Sequence, residues 1–204
     1  MQLLIKNAKL RNQEALVDIA IDGGLIQAVG KDVGQQADRV IDAGGALVTP
    51  ALIDPHIHLD KVNIFDVVRK NESGTLKEAI EIIWDKKKTY TDEDVLERSS
   101  DVVYKALKNG TLFMRTHVDV DTIGGLKPLS GVAKLKEKFK DVMDIQIIAF
   151  PQEGIIQDPG CEANLVVVNA KDARDAIRRN PERLYVIRKG KVVAQTKGET
   201  ELFL

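Results

Sequence analysis

One cysteine, Cys161, stands among the 204 residues, so no disulfide can close within the chain, and a reducing compartment is expected. A lone small thiol of this kind is expected as a buried structural residue rather than a nucleophile. Histidine is almost as scarce, with three in all. No run of 18 or more apolar residues occurs, which excludes a membrane-spanning helix of ordinary length, and the first residues carry no leader pattern. An excess of one charge is missing too. Thirty basic side chains against 31 acidic ones leave a formal net charge of -1, with no broad attraction to nucleic acid or an anionic membrane. These absences predict a cytoplasmic protein with neither nucleic acid nor membrane as partner. What remains, 44% hydrophobic and 30% charged, is ordinary for a soluble globular chain with room for one large domain or two small ones.

The texture changes twice along the chain. Residues 1–50 read as short strands joined by tight turns: Leu3-Leu4-Ile5, then Val17 to Ile21, a hairpin signal at Asp22-Gly23-Gly24, and Leu25 to Val29 returning. Val40 to Ala43 and Ala46 to Val48 read as a further pair around Gly44-Gly45. From residue 51 strand and helix alternate. Ala51 to His58 is a buried strand, and Gly74 to Lys88 has helical spacing at Leu76, Ile80, Ile83 and Trp84. Thr91 and Asp94 form a capping-box signal, with aspartate in the usual Glu or Gln place, that opens a helix reaching Leu107; Asn109-Gly110 stops it. Thr111 to His117 is a second strand, Leu126 to Phe139 a helix, and Ile145 to Phe150 a third strand. Apolar strands alternating with helices predict parallel βα units. Past Gly160 the short-strand texture returns: Ala163 to Val168, a helix over Ala170 to Arg179, and a final hairpin around Lys189-Gly190. The predicted fold class is α/β: a partial TIM-type (β/α) barrel of about three to four units over 51–159. Beside it stands a small β-sandwich module built from both termini, 1–50 and 160–204.

In such a parallel barrel, chemistry gathers at the C-terminal ends of the strands. The first central strand ends in His56-Ile57-His58-Leu59-Asp60, and alternation turns His56 and His58 to the same side, where two imidazoles can grip one transition metal. The second ends in Arg115-Thr116-His117-Val118-Asp119-Val120-Asp121, with Arg115, His117 and Asp119 on one face. The third ends in Phe150-Pro151-Gln152-Glu153-Gly154. Three strand ends dense in polar groups are more than core packing requires.

These strings resemble the cytosine deaminase group of the amidohydrolase superfamily: Pro50 to Lys61, Gly110-Thr111 with Arg115 to Asp121, and Asp144 to Gly154. The tail, Ala163 to Val168 and Arg188 to Val193, is similar to the C-terminal β-segment of the same enzymes, and the Arg115 to Asp121 string is shared with N-isopropylammelide-type aminohydrolases. The resemblance implies a metal-dependent hydrolase that deaminates a pyrimidine-like ring and releases ammonia. His56 and His58 would be ligands of one divalent metal, zinc or iron, and Gln152 would hydrogen-bond the amide edge of the ring.

The same resemblance marks a departure. The family uses a third histidine ligand, a proton-shuttling glutamate, a further histidine and a last-strand aspartate, all on later strands, and none of these catalytic residues is identified here. An eight-unit barrel takes roughly 250 residues, about 31 per unit, whereas 51–159 is 109 residues. Asp119 and Glu153 are the carboxylates in reach as a substitute third ligand, and His117 has no ligand role in the pattern. Open sheet edges and an uncovered interior predict a homo-oligomer. The alternative to an enzyme is a non-catalytic remnant or oligomer-forming fragment.

Overall fold

The computed structural model describes residues 1–34, 36–152, 162–196 and 200–202. Cys161, Glu153 and the predicted boundary at 159/160 lie outside them.

Three sheets form. The first has the order β3-β2-β1-β4, from β1 (Leu3–Ala8), β2 (Val17–Asp22), β3 (Leu25–Gly30) and β4 (Arg39–Asp42). Its β2–β3 hairpin turns through Gly23 and Gly24 at φ of 57° and 74°, the left-handed pair such a turn requires. The expected hairpin around Gly44-Gly45 does not form. β4 runs parallel to β1, and the chain past the two glycines continues in the same direction, with Leu47 bridging Lys9 in parallel. Lys9 donates its backbone N–H to Ala46 and accepts from Val48, so the glycines make a step along one edge rather than a reversal.

The central sheet is parallel, in the order β5-β6-β7, from β5 (Leu52–Ile57), β6 (Thr111–Asp119) and β7 (Asp144–Phe150). Between β5 and β6 run α1 (Leu76–Lys88) and α2 (Asp92–Lys108); α3 (Lys127–Phe139) joins β6 to β7. The caps follow the sequence. Thr75 accepts from the Glu78 N–H and Thr91 from the Asp94 N–H, which satisfies orphan donors of the first turns. Asp94, one methylene shorter than the usual box residue, gives its carboxylate to Arg98 at 2.9 Å and Lys86 at 3.2 Å. Gly110 ends α2 at a φ of 88°.

One core lies between the outer face of this sheet and the two helices. Met114, Val118 and Ile145 pack with Val95, Val103, Val132, Leu135 and Phe139. The helices approach closely at Gly131, where a Cβ would stand 2.6 Å from that of Val95.

The C-terminal segment is a third sheet, β11-β10-β9-β8, from β8 (Leu165–Val168), β9 (Arg183–Arg188), β10 (Lys191–Thr196) and β11 (Thr200–Leu202), with α4 (Ala173–Arg179) capped by Asp172. The predicted hairpin is present at Lys189-Gly190, with φ of 50° and 77°. No strand of this sheet pairs with one of the N-terminal sheet among the described residues. None of the described helices is long and apolar enough to cross a membrane.

Candidate metal centre

The first central strand ends one residue earlier than expected, at Ile57, and His58 opens a 3-10 turn over Leu59–Lys61. Strict alternation is also interrupted. Asp54 pairs with Met114 and Ile57 with Thr116, so three steps on β5 oppose two on β6. The two imidazoles nonetheless meet, His56 Nε2 standing 3.3 Å from His58 Nε2. Two nitrogens bound at 2.0–2.1 Å to a common tetrahedral ion stand about 3.3–3.4 Å apart. His58 is oriented from behind. Its Nδ1 lies 2.9 Å from the His117 carbonyl oxygen. A carbonyl can only accept, so Nδ1 carries the proton and Nε2 keeps its lone pair toward His56. Burial, and then the nearby Lys61 ammonium, lower the His58 pKa, which favours the neutral ring that a metal ligand needs.

β6 splits its side chains as its alternation predicts. Met114, Thr116 and Val118 are buried toward the helices, and Thr116 Oγ1 accepts the Leu59 N–H at 3.0 Å, fixing the turn that follows β5. On the other face Arg115 Nε donates to Gln146 Oε1 at 2.7 Å. The His117 ring stacks on that of His56 with centroids 4.3 Å apart, and its buried Nδ1 has no hydrogen-bond partner among the described residues. Phe150 closes one side, 5.7 Å from the His58 ring and 6.0 Å from that of His117.

Beside the histidines lies a charged network that the sequence does not announce. Asp119, 1% exposed, places Oδ1 at 2.8 Å from Lys61 Nζ and Oδ2 at 2.5 Å from Lys87 Nζ. Lys87, wholly buried, also pairs with Asp121 at 2.6 Å. Asp119, a carboxylate in reach as a substitute third ligand, is paired here with two lysines. Among the described residues no group of three or more His, Cys, Asp or Glu is placed to hold a metal. Lys61 Nζ further donates to Gln152 Oε1 at 2.7 Å, which brings the third strand's glutamine to the same site. Asp60 is buried with Oδ2 accepting the Asp119 N–H at 3.3 Å, and Oδ1 has no hydrogen-bond partner among the described residues. Burial, opposed by Lys61, raises its pKa to about 6. The turn carrying Asp60 and Lys61 is tied to α2 by Arg98, whose guanidinium donates to the carbonyls of Asp60 and Val62.

Asp60 and Lys61 stand within the histidine string, yet nothing local foretells their partners. Lys87 gives no signal at all. Flanked by Lys86 and Lys88 in a last helical turn, it is where basic residues are expected on helix-dipole grounds alone.

Residues 39–156, more than half of the chain, match the model of the amidohydrolase family. Over 160 residues the sequence is 34% identical to the N-isopropylammelide isopropyl amidohydrolase of Pseudomonas sp. (strain ADP), covering 76% of this chain and 40% of that protein. The crystal structure of 5-methylcytosine deaminase from Klebsiella pneumoniae liganded with 5-fluorocytosine is similar at a TM-score of 0.68 and 38% identity, over 76% of this chain and 38% of that one. N-isopropylammelide isopropylaminohydrolase from Burkholderia multivorans ATCC 17616 gives 0.67 and 31%, over 78% and 40%. The chain spans about 40% of the length of the relatives it matches.

Proposed function

The chain belongs to the amidohydrolase family, and from that premise we propose that it carries the first part of a metal-dependent hydrolase site of the cytosine deaminase type. The observation that carries this reading is the His56–His58 pair, two Nε2 atoms 3.3 Å apart with one ring held by a backbone carbonyl. In this reading the pair holds one divalent ion, and zinc and iron both accept two imidazoles. The chemistry such an ion supplies is a water made acidic enough to attack an amino-bearing ring carbon, with ammonia leaving. The chain's own residues do the rest of what is present. His117 and Phe150 wall the ligand rings from one side, and Gln152 offers its carboxamide to the amide edge of a pyrimidine-like ring. The third ligand and the proton-transferring groups are assigned to the barrel strands beyond β7, contributed by another polypeptide or subunit. Among the described residues each of β5 and β7 is paired on one side only, and Ile53 and Phe113 are exposed, which supports association along this sheet. The two terminal sheets are assigned to one sandwich module beside the barrel.

The test is metal content and ammonia release by the purified chain loaded separately with zinc and with iron, using cytosine and N-isopropylammelide as substrates. One ion per chain, lost in His56→Ala, is the expected result. Equal metal uptake by wild type and His56→Ala would overturn the reading. A second reading, a scaffold without turnover, is favoured by the lack of a third described ligand; it predicts metal uptake with no ammonia from either substrate.

A further inference from the structure

Gln152 is held at one end. Its Oε1 accepts from Lys61 Nζ at 2.7 Å, and Lys61 is itself clamped at 2.8 Å by Asp119, whose other oxygen is anchored by the buried Lys87. A lysine ammonium can only donate, so the oxygen end of the carboxamide is the end facing Lys61, and its NH2 must point the other way. We propose that Lys61 is a positioning residue that fixes the polarity of the Gln152 carboxamide and thereby selects which way round a ring docks before His56 and His58. This rests on the role given to Gln152 under Proposed function.

The consequence is chemical. An amide edge of a heterocycle offers one carbonyl acceptor and one N–H donor side by side. The Gln152 NH2 takes the carbonyl, and the lone pair of Oε1 not used by Lys61 takes the N–H. The ring is therefore docked in one sense only, with its carbonyl on the NH2 side. In cytosine the amino-bearing carbon lies beyond the carbonyl, while in isocytosine it lies beside the N–H. A fixed carboxamide presents the amino-bearing carbon of one isomer toward the histidine pair and turns that of the other away. A carboxamide free to flip accepts either. Lys61, 15% exposed and anchored through Asp119 to the core, is built to prevent the flip.

The experiment uses the full 204-residue chain, labelled with nitrogen-15 and loaded with zinc. The Gln152 side-chain NH2 signals are assigned by their loss in Gln152→Glu. Signals displaced from free-glutamine positions in wild type, collapsing to those positions in Lys61→Met and restored in Lys61→Arg, are expected. Unchanged signals in Lys61→Met would overturn the clamp. Titration with cytosine and isocytosine then reads the selection. Both isomers keep the two carboxamide hydrogen bonds, so wild type should separate them by about tenfold in Kd through the one contact the amino group makes or loses at the histidine pair. Lys61→Met should bring the ratio toward one and Lys61→Arg should keep it. A ratio that persists in Lys61→Met overturns the selection. Failure of both isomers to move the Gln152 signals removes the reading of the site and the ring-selecting half of this inference with it. The amide signals without any ring still decide the clamp.

Discussion

Strand β6 carries two proteins' worth of instructions on alternate residues. Its outward row, Met114, Thr116 and Val118, is sealed under α2 and α3; in its inward row Arg115 pairs with Gln146, His117 stacks on His56 and Asp119 binds the lysines. In the outward row Met114 and Val118 are held by contact, where a well-packed apolar set of similar volume serves, while Thr116 between them is fixed by accepting the Leu59 N–H. The inward row is held by charge and direction, and each member has a specific partner. The comparison teaches that stability and site geometry are separable along one strand until Asp119, where a buried ion pair makes them one.

That junction gives the largest effect. Lys87→Met removes the buried cation shared by Asp119 and Asp121 and leaves two carboxylates without it. A loss of about 3–5 kcal/mol is expected from urea unfolding, the usual cost of breaking a buried pair from one side. A loss below about 1 kcal/mol would show that the two rows are separable even there. Next comes the outward side. Leu135→Ala empties a fully buried position between α3 and the sheet and should cost about 2–5 kcal/mol, while leaving metal uptake per folded chain unchanged.

A smaller effect belongs to Asp60. Its carboxyl pKa is raised by burial to about 6 in the folded chain, above the ordinary aspartate value of about 3.9, so between those values the native state binds more protons than the unfolded one. Stability therefore falls as pH rises from about 4 to about 6 and then levels, with a slope of at most about 1.4 kcal/mol per pH unit. The depressed carboxylates, Asp92 and Glu78 among them, act in the opposite sense and below this window. Asp60→Asn should flatten the decline in chemical unfolding midpoints between pH 4.5 and 7; an unchanged profile would assign it to other groups. The smallest effect is expected from His56→Ala, whose ring is exposed. Unfolding free energy should stay within about 0.5 kcal/mol of wild type while zinc uptake is lost. A large loss of stability would place His56 with the structural row instead.

The comparison also shows which parts of the fold were legible. Thr91 caps its helix where the Thr91–Asp94 signal places it, and the β6 alternation predicted the shared face of Arg115, His117 and Asp119. These are local decisions, made within a turn or a strand. Gly44-Gly45 misled for the same reason: two left-handed glycines suit a hairpin, but Ala43 and Gly45 donate to Lys6 and Asn7 carbonyls of β1, so the strand steps and runs on. Register against a distant partner decided that, and nothing local encodes it.

The sequence by itself determined the strand–helix order of the central segment, the start of α2 at its Thr91 cap, and the placing of His56 and His58 one residue apart at a strand end, because hydrophobic period and capping chemistry act over a few residues. Only the tertiary structure decided that Asp119 pairs with both Lys61 and Lys87. It also decided that Lys87 is buried while Lys88 beside it is exposed, and that Lys61 reaches Gln152 across 91 positions of chain. A charged side chain's partner is set by where low-dielectric burial brings opposite charge within reach. That depends on how α1, the turn after β5 and the ends of β6 and β7 converge, which no stretch of sequence carries alone.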